Sequence, residues 1–141
     1  MTDMMLDRDG FRLRYRIDVA EFERGFADGY ERVNARFADT VQPLIEPDDL
    51  VWVHDYHLIP LGESLRKRGF SNRIGFFLHI PWPPPEVVSA LPGYRRLLQG
   101  LLAYDVVGFQ TERDASHFLR CVQDENLVAE TAEDGLVTYG E

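Results

Sequence analysis

Apolar side chains recur at helical spacing in the first third of the chain. They predict a helix over residues 18–41, with Asp18 as its N-cap and Glu21 completing a capping-box pattern. We predict that one face of this helix packs into the core rather than binding a ligand. That face consists of Val19, Phe22, Phe26, Tyr30, Val33, Phe37 and Val41, each three or four positions after the one before.

Beyond the helix, the pattern changes to short, continuously apolar runs. Strands are predicted at 49–54, 73–80 and 105–110, because such runs are typical of a parallel sheet that is covered on both faces. Helical stretches separate the runs, so the fold class is predicted to be α/β. The helices are predicted over residues 59–68 before Gly69, over 86–92 and 94–104, and after Thr111 as N-cap, followed by a hairpin around Asp134 and Gly135.

Length and charge limit the number of domains and the kinds of partner that fit this sequence. A chain of 141 residues, 45% of them hydrophobic, fits one compact domain. The formal net charge of −9 argues against nucleic acids and anionic membrane surfaces as partners. The acidic first residues lack a long apolar run, so we expect neither a signal peptide nor a membrane anchor. The one cysteine, Cys121, is expected to be a packed thiol in a reducing compartment, which favours a cytoplasmic protein.

Polar residues follow the predicted strands at their carboxyl ends. The segment HDYH (54–57) ends the first strand, HIPWPPPE (79–86) ends the second, and QTE (110–112) comes at the end of the third. In a parallel α/β sheet, ligands bind beyond the carboxyl ends of the strands. The sequence therefore predicts a small-molecule site lined by His, Asp, His and Gln side chains.

Metal binding is one hypothesis for the first of these segments. His54 and His57 flank Asp55, and two histidines near a carboxylate form a zinc-binding combination. Neighbouring strand residues point to opposite faces, so these side chains would converge only after a sharp turn, and we expect no metal site. Asp55 also has a structural alternative, as the cap of the following helix.

The other candidates have structural alternatives as well. His79 lies late in an apolar strand, where a lone histidine is typically a core residue, but the prolines after it indicate a rigid wall beside a ligand. Trp82 is either a platform for sugar stacking or a cover over apolar surface. Gln110 either binds a hydroxyl or satisfies backbone groups. The basic residues at 66–68 and 95–96 are expected to be solvated.

Three long segments resemble the trehalose-6-phosphate synthase family of retaining glycosyltransferases. In chain order they are VWVHDYHLIPLGESLRKRG, NRIGFFLHIPWPPPEVVSALP and LLAYDVVGFQTERDASHFL. The preceding YRIDVAEFERGFADGYERVNARFADTV also looks like the family's helix before the first motif. The resemblance covers residues 13 to about 122 together with the tail hairpin, and motifs of this length and order are highly specific.

The resemblance implies part of a GT-B fold, in which two Rossmann-like domains face each other across a cleft. Glucose 6-phosphate binds mainly to the N-terminal domain, and the C-terminal domain holds the nucleotide of the donor, usually UDP-glucose. The implied reaction transfers glucose with retention to give α,α-trehalose 6-phosphate. It implies no catalytic metal and no cofactor besides the co-substrate UDP-glucose.

Matching motifs also imply roles for four residues. Asp55 resembles the carboxylate that binds hydroxyls of the acceptor sugar, and a carboxylate has lone pairs for two such donors. His79 resembles the catalytic histidine that contacts the donor glucose, and Ile80 would line the same pocket. Gln110 falls in the family's GFQT motif, near the donor sugar. The implied front-face displacement requires no enzyme nucleophile.

The resemblance divides the chain into an unmatched segment, 1–12, and a partial acceptor-side Rossmann-like domain, 13–141. The family's glycine-rich phosphate segment, the residues that hold the acceptor phosphate and the C-terminal nucleotide-sugar domain have no counterpart in the sequence. A diphosphate leaving group needs positive charge aimed at it, so we expect the isolated chain to be inactive.

Two alternatives stay open at the level of the sequence. One is a related synthase whose acceptor is glycerol 3-phosphate or a pseudo-sugar phosphate. The other is a non-catalytic module that binds a full-length subunit. For the full-length enzyme, assembly into a homo-oligomer is a further expectation.

Overall fold

The alternation of strand and helix builds a small parallel sheet. The computed structural model describes residues 28–127 and the backbone of residues 130–131 and 137–138. The chain divides into two units, residues 1–33 and 34–141. Residues 28–33 of the first unit are helical, and the sheet belongs to the second unit.

Three parallel strands form the sheet in the order β1–β2–β3. They are β1 (Val51–His54), β2 (Ile74–Phe77) and β3 (Val106–Gly108), each shorter than the apolar run that predicts it. The pairing puts Trp52, Gly75 and Val106 in one row across the sheet. The α/β fold class, a parallel sheet with flanking helices, is confirmed.

Helices precede, connect and follow the strands. They are α1 (residues 28–41), α2 (Leu61–Lys67), α3 (Pro85–Val88), α4 (Tyr94–Leu101) and α5 (Glu112–Asp124), with short 3-10 helices at Gln42–Leu44 and Tyr56–Leu58. Gly69 follows α2 with a φ of +81°, and the Thr111 side chain accepts a hydrogen bond from the N–H of Asp114, so both predicted helix ends are confirmed. Within the described ranges, no helix has the length and apolarity needed to cross a membrane.

The tail contains the predicted hairpin. Strand β4 (Glu130–Thr131) pairs antiparallel with β5 (Val137–Thr138). The predicted turn residues, Asp134 and Gly135, lie outside the described residues.

The two faces of the sheet differ in exposure. One face carries Val53, Ile74 and Phe76, which are all buried, and Phe76 contacts the ring of Tyr104 with 5.0 Å between centroids. On the other face Trp52 is 46% exposed and Val106 is 57% exposed. The prediction of a sheet covered on both faces is therefore wrong for the face that carries Trp52 and Val106. Continuous apolar runs do not by themselves show that both faces are buried.

Helix α1 buries a different stripe from the predicted one. Asn34 and Ala38 are fully buried, whereas Val33 is 51% exposed and Phe37 is 46% exposed. The predicted stripe is therefore wrong at Val33 and Phe37. The physical reason is a long-range hydrogen bond: the Nδ2 atom of Asn34 donates to the backbone carbonyl of His57, 3.0 Å away. The earlier members of the stripe, at 19, 22 and 26, lie outside the described residues.

Candidate functional site

The carboxyl edge of the sheet gathers the predicted site residues. His54 ends β1, His79 comes two residues after β2, and Gln110 comes two residues after β3. The Nδ1 atom of His54 lies 2.8 Å from Nε2 of His79. The side-chain amide of Gln110 donates to the backbone carbonyl of His79, 2.6 Å away. Parallel pairing thus brings the ends of three strands into direct contact.

Asp55 has a rare backbone conformation at this edge. Its φ of 72° and ψ of 160° fall in a region that is essentially restricted to glycine. Its N–H still donates to the carbonyl of Phe77, 2.9 Å away, which extends the pairing of β1 with β2. The carboxylate then accepts a hydrogen bond from the N–H of Tyr56, so the prediction that Asp55 caps a helix is confirmed for the 3-10 helix Tyr56–Leu58. Such conformations cluster at functional sites.

The segment 55–60, called the site loop below, is held from two sides. Asn34 donates to the carbonyl of His57, and the hydroxyl of Tyr104 donates to the carbonyl of Leu58, 2.7 Å away. Neither residue was predicted to support the site. A polar residue within the helical pattern was the available signal for Asn34, since a buried amide needs a hydrogen-bond partner.

His79 is exposed, so the interpretation of this histidine as a core residue is wrong. The N–H of Leu78 still donates to the carbonyl of Gly108, 3.0 Å away, and the ring of His79 packs against that of Phe77 with 4.8 Å between centroids. Ile80, the next residue, is also largely exposed. The edge therefore presents an imidazole and an aliphatic side chain beside the carboxylate of the site loop.

Trp82 is buried rather than presented at the edge. Its ring makes edge-to-face contacts with Phe109 and Phe118, at centroid distances of 6.2 and 5.3 Å. Of the two interpretations of Trp82, packing against apolar surface fits this position, and a platform for sugar stacking does not. The aromatic cluster anchors the proline segment that follows Ile80.

All four arginines predicted to be solvated form ion pairs with carboxylates. Arg66 pairs with the Asp105 carboxylate at 2.7 Å and donates to the carbonyl of Phe70 at 2.9 Å. Arg68 pairs with Asp39 at 2.7 Å. The guanidinium groups of Arg66 and Arg68 therefore fix the turn after α2 and tie α1 to α2. The prediction of solvation alone is wrong for all four arginines.

Metal-binding geometry is not found in the described ranges, 28–127, 130–131 and 137–138, which contain no group of three or more His, Cys, Asp or Glu side chains able to hold an ion. A cavity of about 200 Å³ lies away from the sheet edge, between α3, α4 and α5. Cys121 lines it, and burial raises the pKa of this thiol. None of the predicted site residues lines this cavity, so its position gives no information about the edge site.

The edge offers chemistry suited to a polyhydroxylated ligand. The carboxylate of Asp55 can accept hydrogen bonds from hydroxyl groups, the imidazole of His79 can donate or accept, and the amide of Gln110 has both a donor and an acceptor end. Ile80 adds an apolar contact. A sugar presents both hydroxyl groups and an apolar ring face.

Comparison with known proteins connects this geometry to a family. The model described as glycosyltransferase family 20 matches residues 11–141. A curated trehalose-6-phosphate synthase from Cronobacter sakazakii is 50% identical over 126 residues, which are 89% of this chain and 27% of the relative.

Solved structures agree in fold. An Escherichia coli structure named for trehalose-6-phosphate and bound with UDP-2-fluoro glucose has a TM-score of 0.75 and 49% identity, covering 84% of this chain and 27% of that one. An α,α-trehalose-phosphate synthase (UDP-forming) from Burkholderia xenovorans, in complex with glucose-6-phosphate, has a TM-score of 0.71 and 48% identity, with coverage of 72% and 22%. The chain spans about a quarter of the length of the relatives it matches.

Proposed function

The chain belongs to glycosyltransferase family 20, and we propose that it is the acceptor-side part of a trehalose-6-phosphate synthase. The proposed reaction transfers glucose from UDP-glucose to glucose 6-phosphate with retention. The similar structures from E. coli and B. xenovorans, which hold a UDP-sugar and glucose-6-phosphate respectively, support the two substrates. We further propose that residues 13–141 form this acceptor-side domain, and the single cysteine is consistent with a cytoplasmic location.

The observation that carries the proposal is the contact among three strand ends around His79, beside the left-handed backbone of Asp55. A strained residue persists only when the surrounding structure over-determines it. Here the ladder bond to Phe77 and the bond from Tyr56 fix Asp55 on both sides. A carboxylate fixed in this way is oriented before any ligand arrives, which reduces the ordering cost of binding.

Each residue has a proposed task. Asp55 accepts hydrogen bonds from hydroxyls of the acceptor glucose, and His79 contacts the donor glucose at the reaction centre. Ile80 lines the donor pocket. Gln110 donates a hydrogen bond to the His79 carbonyl and so fixes the backbone position of His79 on the donor side of the site. In the proposed front-face displacement, the bond from glucose to the leaving phosphate breaks as the acceptor oxygen bonds to the same carbon, and the acceptor proton passes to that phosphate.

The charges of the residues at the sheet edge bear on whether this chain can transfer glucose by itself. The edge residues are a carboxylate, imidazoles and an amide, whereas a departing diphosphate requires cationic groups aimed at it. We propose that a second domain supplies those groups, so that this chain binds sugars at the edge without transferring glucose.

Binding to the chain tests the function directly. In amide NMR spectra, glucose 6-phosphate should shift signals of the site loop, and UDP-glucose should shift signals around His79 and Gln110. Asp55→Asn keeps the shape but loses the charge, and we expect it to weaken glucose 6-phosphate binding about tenfold or more, the order expected for a lost hydrogen bond to a charged group.

Glycerol 3-phosphate serves as the competing acceptor in the same titration. Tighter binding of glycerol 3-phosphate than of glucose 6-phosphate would contradict the assignment of the acceptor. Clear formation of trehalose 6-phosphate by the purified chain would contradict the division of labour between two domains.

A further inference from the structure

His54 has no role in the proposed reaction, but it contacts His79, which does have one. We propose that His54 is a positioning residue that holds Nε2 of the His79 ring and thereby leaves Nδ1 as the ring nitrogen for the ligand. The assignment of that ligand as a nucleotide sugar rests on the proposed function. The pairing of the two rings does not.

The geometry of the pair is that of a hydrogen bond between ring edges. The two nitrogens are 2.8 Å apart, while the ring centroids are 5.1 Å apart and the planes differ by 22°. Nearly coplanar rings whose nitrogens are much closer than their centroids meet edge to edge rather than face to face. Two nitrogens bound to one tetrahedral zinc ion would stand farther apart, at about 3.3 Å given ordinary Zn–N bonds.

A hydrogen bond of this kind couples the tautomer of His79 to that of His54. A neutral imidazole has one N–H and one bare nitrogen. If Nε2 of His79 donates to His54, its Nδ1 is an acceptor; if Nε2 accepts, Nδ1 carries the proton. In both cases the partner on one nitrogen decides what the other nitrogen offers to a ligand, as it does for histidines in other active sites.

The surroundings of the pair also restrict how the rings turn. The ring of Phe77 packs against His79, and Trp52 meets His54 edge to face with 6.1 Å between centroids. The backbone carbonyl of His79 is held by Gln110. Ring packing, backbone and one ring nitrogen are therefore all fixed by protein contacts, and fixed geometry of this kind is what a reacting centre requires.

Labelled-histidine NMR tests the pairing without any ligand. The ¹⁵N shifts of an imidazole distinguish a protonated from a bare nitrogen. In the full chain near pH 8, His79 should show one dominant tautomer. His54→Phe keeps an aromatic ring and removes the nitrogens, so it should give a mixture of tautomers at His79.

His54→Asn supplies the matched control. Its short amide reaches roughly the position of Nδ1, so it should restore one dominant tautomer at His79, which a merely structural role of His54 would not require. Unchanged His79 signals in His54→Phe would overturn the inference. If His54→Phe fails to fold, the inference stands on the wild-type tautomer and on His54→Asn, and a tautomer mixture at His79 in the wild-type chain would overturn it.

Titration with UDP-glucose then separates the inference from the proposed function. We expect the ligand to shift Nδ1 of His79 more than Nε2, and His54→Phe to bind about tenfold more weakly, as expected when one orienting hydrogen bond is lost. A larger shift at Nε2 would overturn the inference. A dominant tautomer at His79 with no response to UDP-glucose would instead contradict the donor assignment and leave the pairing supported.

Discussion

The ring of Tyr104 occupies the space that a side chain on Gly62 would need. A Cβ atom at Gly62 would lie 2.7 Å from Cζ of Tyr104. The Tyr104 hydroxyl accepts a hydrogen bond from the N–H of Gly62 at 2.9 Å and donates to the carbonyl of Leu58 at 2.7 Å. The N–H of Gly62 lies in the first turn of α2, where the helix itself offers no acceptor. One hydroxyl thus joins the start of α2 to the site loop.

Removing this hydroxyl should destabilise the fold. Tyr104→Phe removes the partner of the buried Gly62 N–H and of the part-buried Leu58 carbonyl, so we expect the free energy of unfolding to fall by about 1–3 kcal/mol. Urea denaturation measures the loss. The matched control is Tyr94→Phe, because Tyr94 donates to Glu125 in a more exposed setting, and we expect a smaller loss there. Equal losses in the two variants would contradict the proposed role of Tyr104.

Adding a methyl group at Gly62 should also destabilise the chain, although alanine is favoured over glycine in a helix by about 1 kcal/mol. The new Cβ would displace the Tyr104 ring, and we expect a net loss of about 1–3 kcal/mol in thermal or urea unfolding. Gly29→Ala is the control, because Gly29 is helical and its added Cβ would meet nothing within 4 Å besides its chain neighbours and the backbone of its own helix. In a Tyr104→Ala background, Gly62→Ala should become favourable; a persistent loss there would show that the ring is not the cause.

Substitutions at Asp55 should distinguish the stability cost of its backbone conformation from the contribution of its carboxylate to ligand binding. Glycine adopts a φ of 72° and ψ of 160° freely, whereas alanine retains the strain, so Asp55→Gly should be more stable than Asp55→Ala by about 1–3 kcal/mol. Both variants lack the carboxylate and should lose glucose 6-phosphate binding. Urea denaturation and ligand titration on the same samples check the two effects. An alanine variant as stable as the glycine variant would show that the backbone is unstrained.

Lowering the pH should weaken the network of ion pairs around Glu63. Burial by itself raises the pKa of Glu63, but hydrogen bonds from Lys67 and Arg96 outweigh it, so the pKa lies below its usual value of 4.5. A pKa that is lower in the folded state stabilises the fold above pH 4.5, and this contribution is lost as the pH falls through the folded-state pKa. The stability difference between the wild-type chain and Glu63→Gln should therefore shrink in thermal scans as the pH falls below 4.5. A difference that is constant from pH 7 to pH 3 would exclude this linkage.

Local sequence signals predicted the edge of the sheet well. Apolar runs marked the strands, and the polar residues that end them marked the carboxyl edge where His79, Asp55 and Gln110 lie. Caps and helix ends such as Thr111 and Gly69 were also predictable, because their preferences depend on backbone groups only a few residues away.

Long-range pairings were not predictable to the same extent. The choice of Asn34 rather than Val33 as a buried residue depends on a carbonyl 23 residues further along the chain. The alternation of residues along the strands was a sequence signal for the contact between His54 and His79. His54 is the register partner of Phe77, and His79 comes two residues after Phe77. Reading that signal requires the register of two strands, which the sequence alone did not supply.

The contrast between Trp52 and Trp82 has an optical consequence. Trp52 stands on the open sheet face with its ring over Gly75, and Trp82 lies within the aromatic cluster. Under ultraviolet excitation, Trp52 should emit at longer wavelength and be quenched first by acrylamide, a neutral quencher that the negative chain does not repel. Because Trp52 also contacts His54, its fluorescence reports on the sheet edge, while that of Trp82 reports on the interior. The chain thus carries two intrinsic probes that distinguish ligand capture from unfolding without a label.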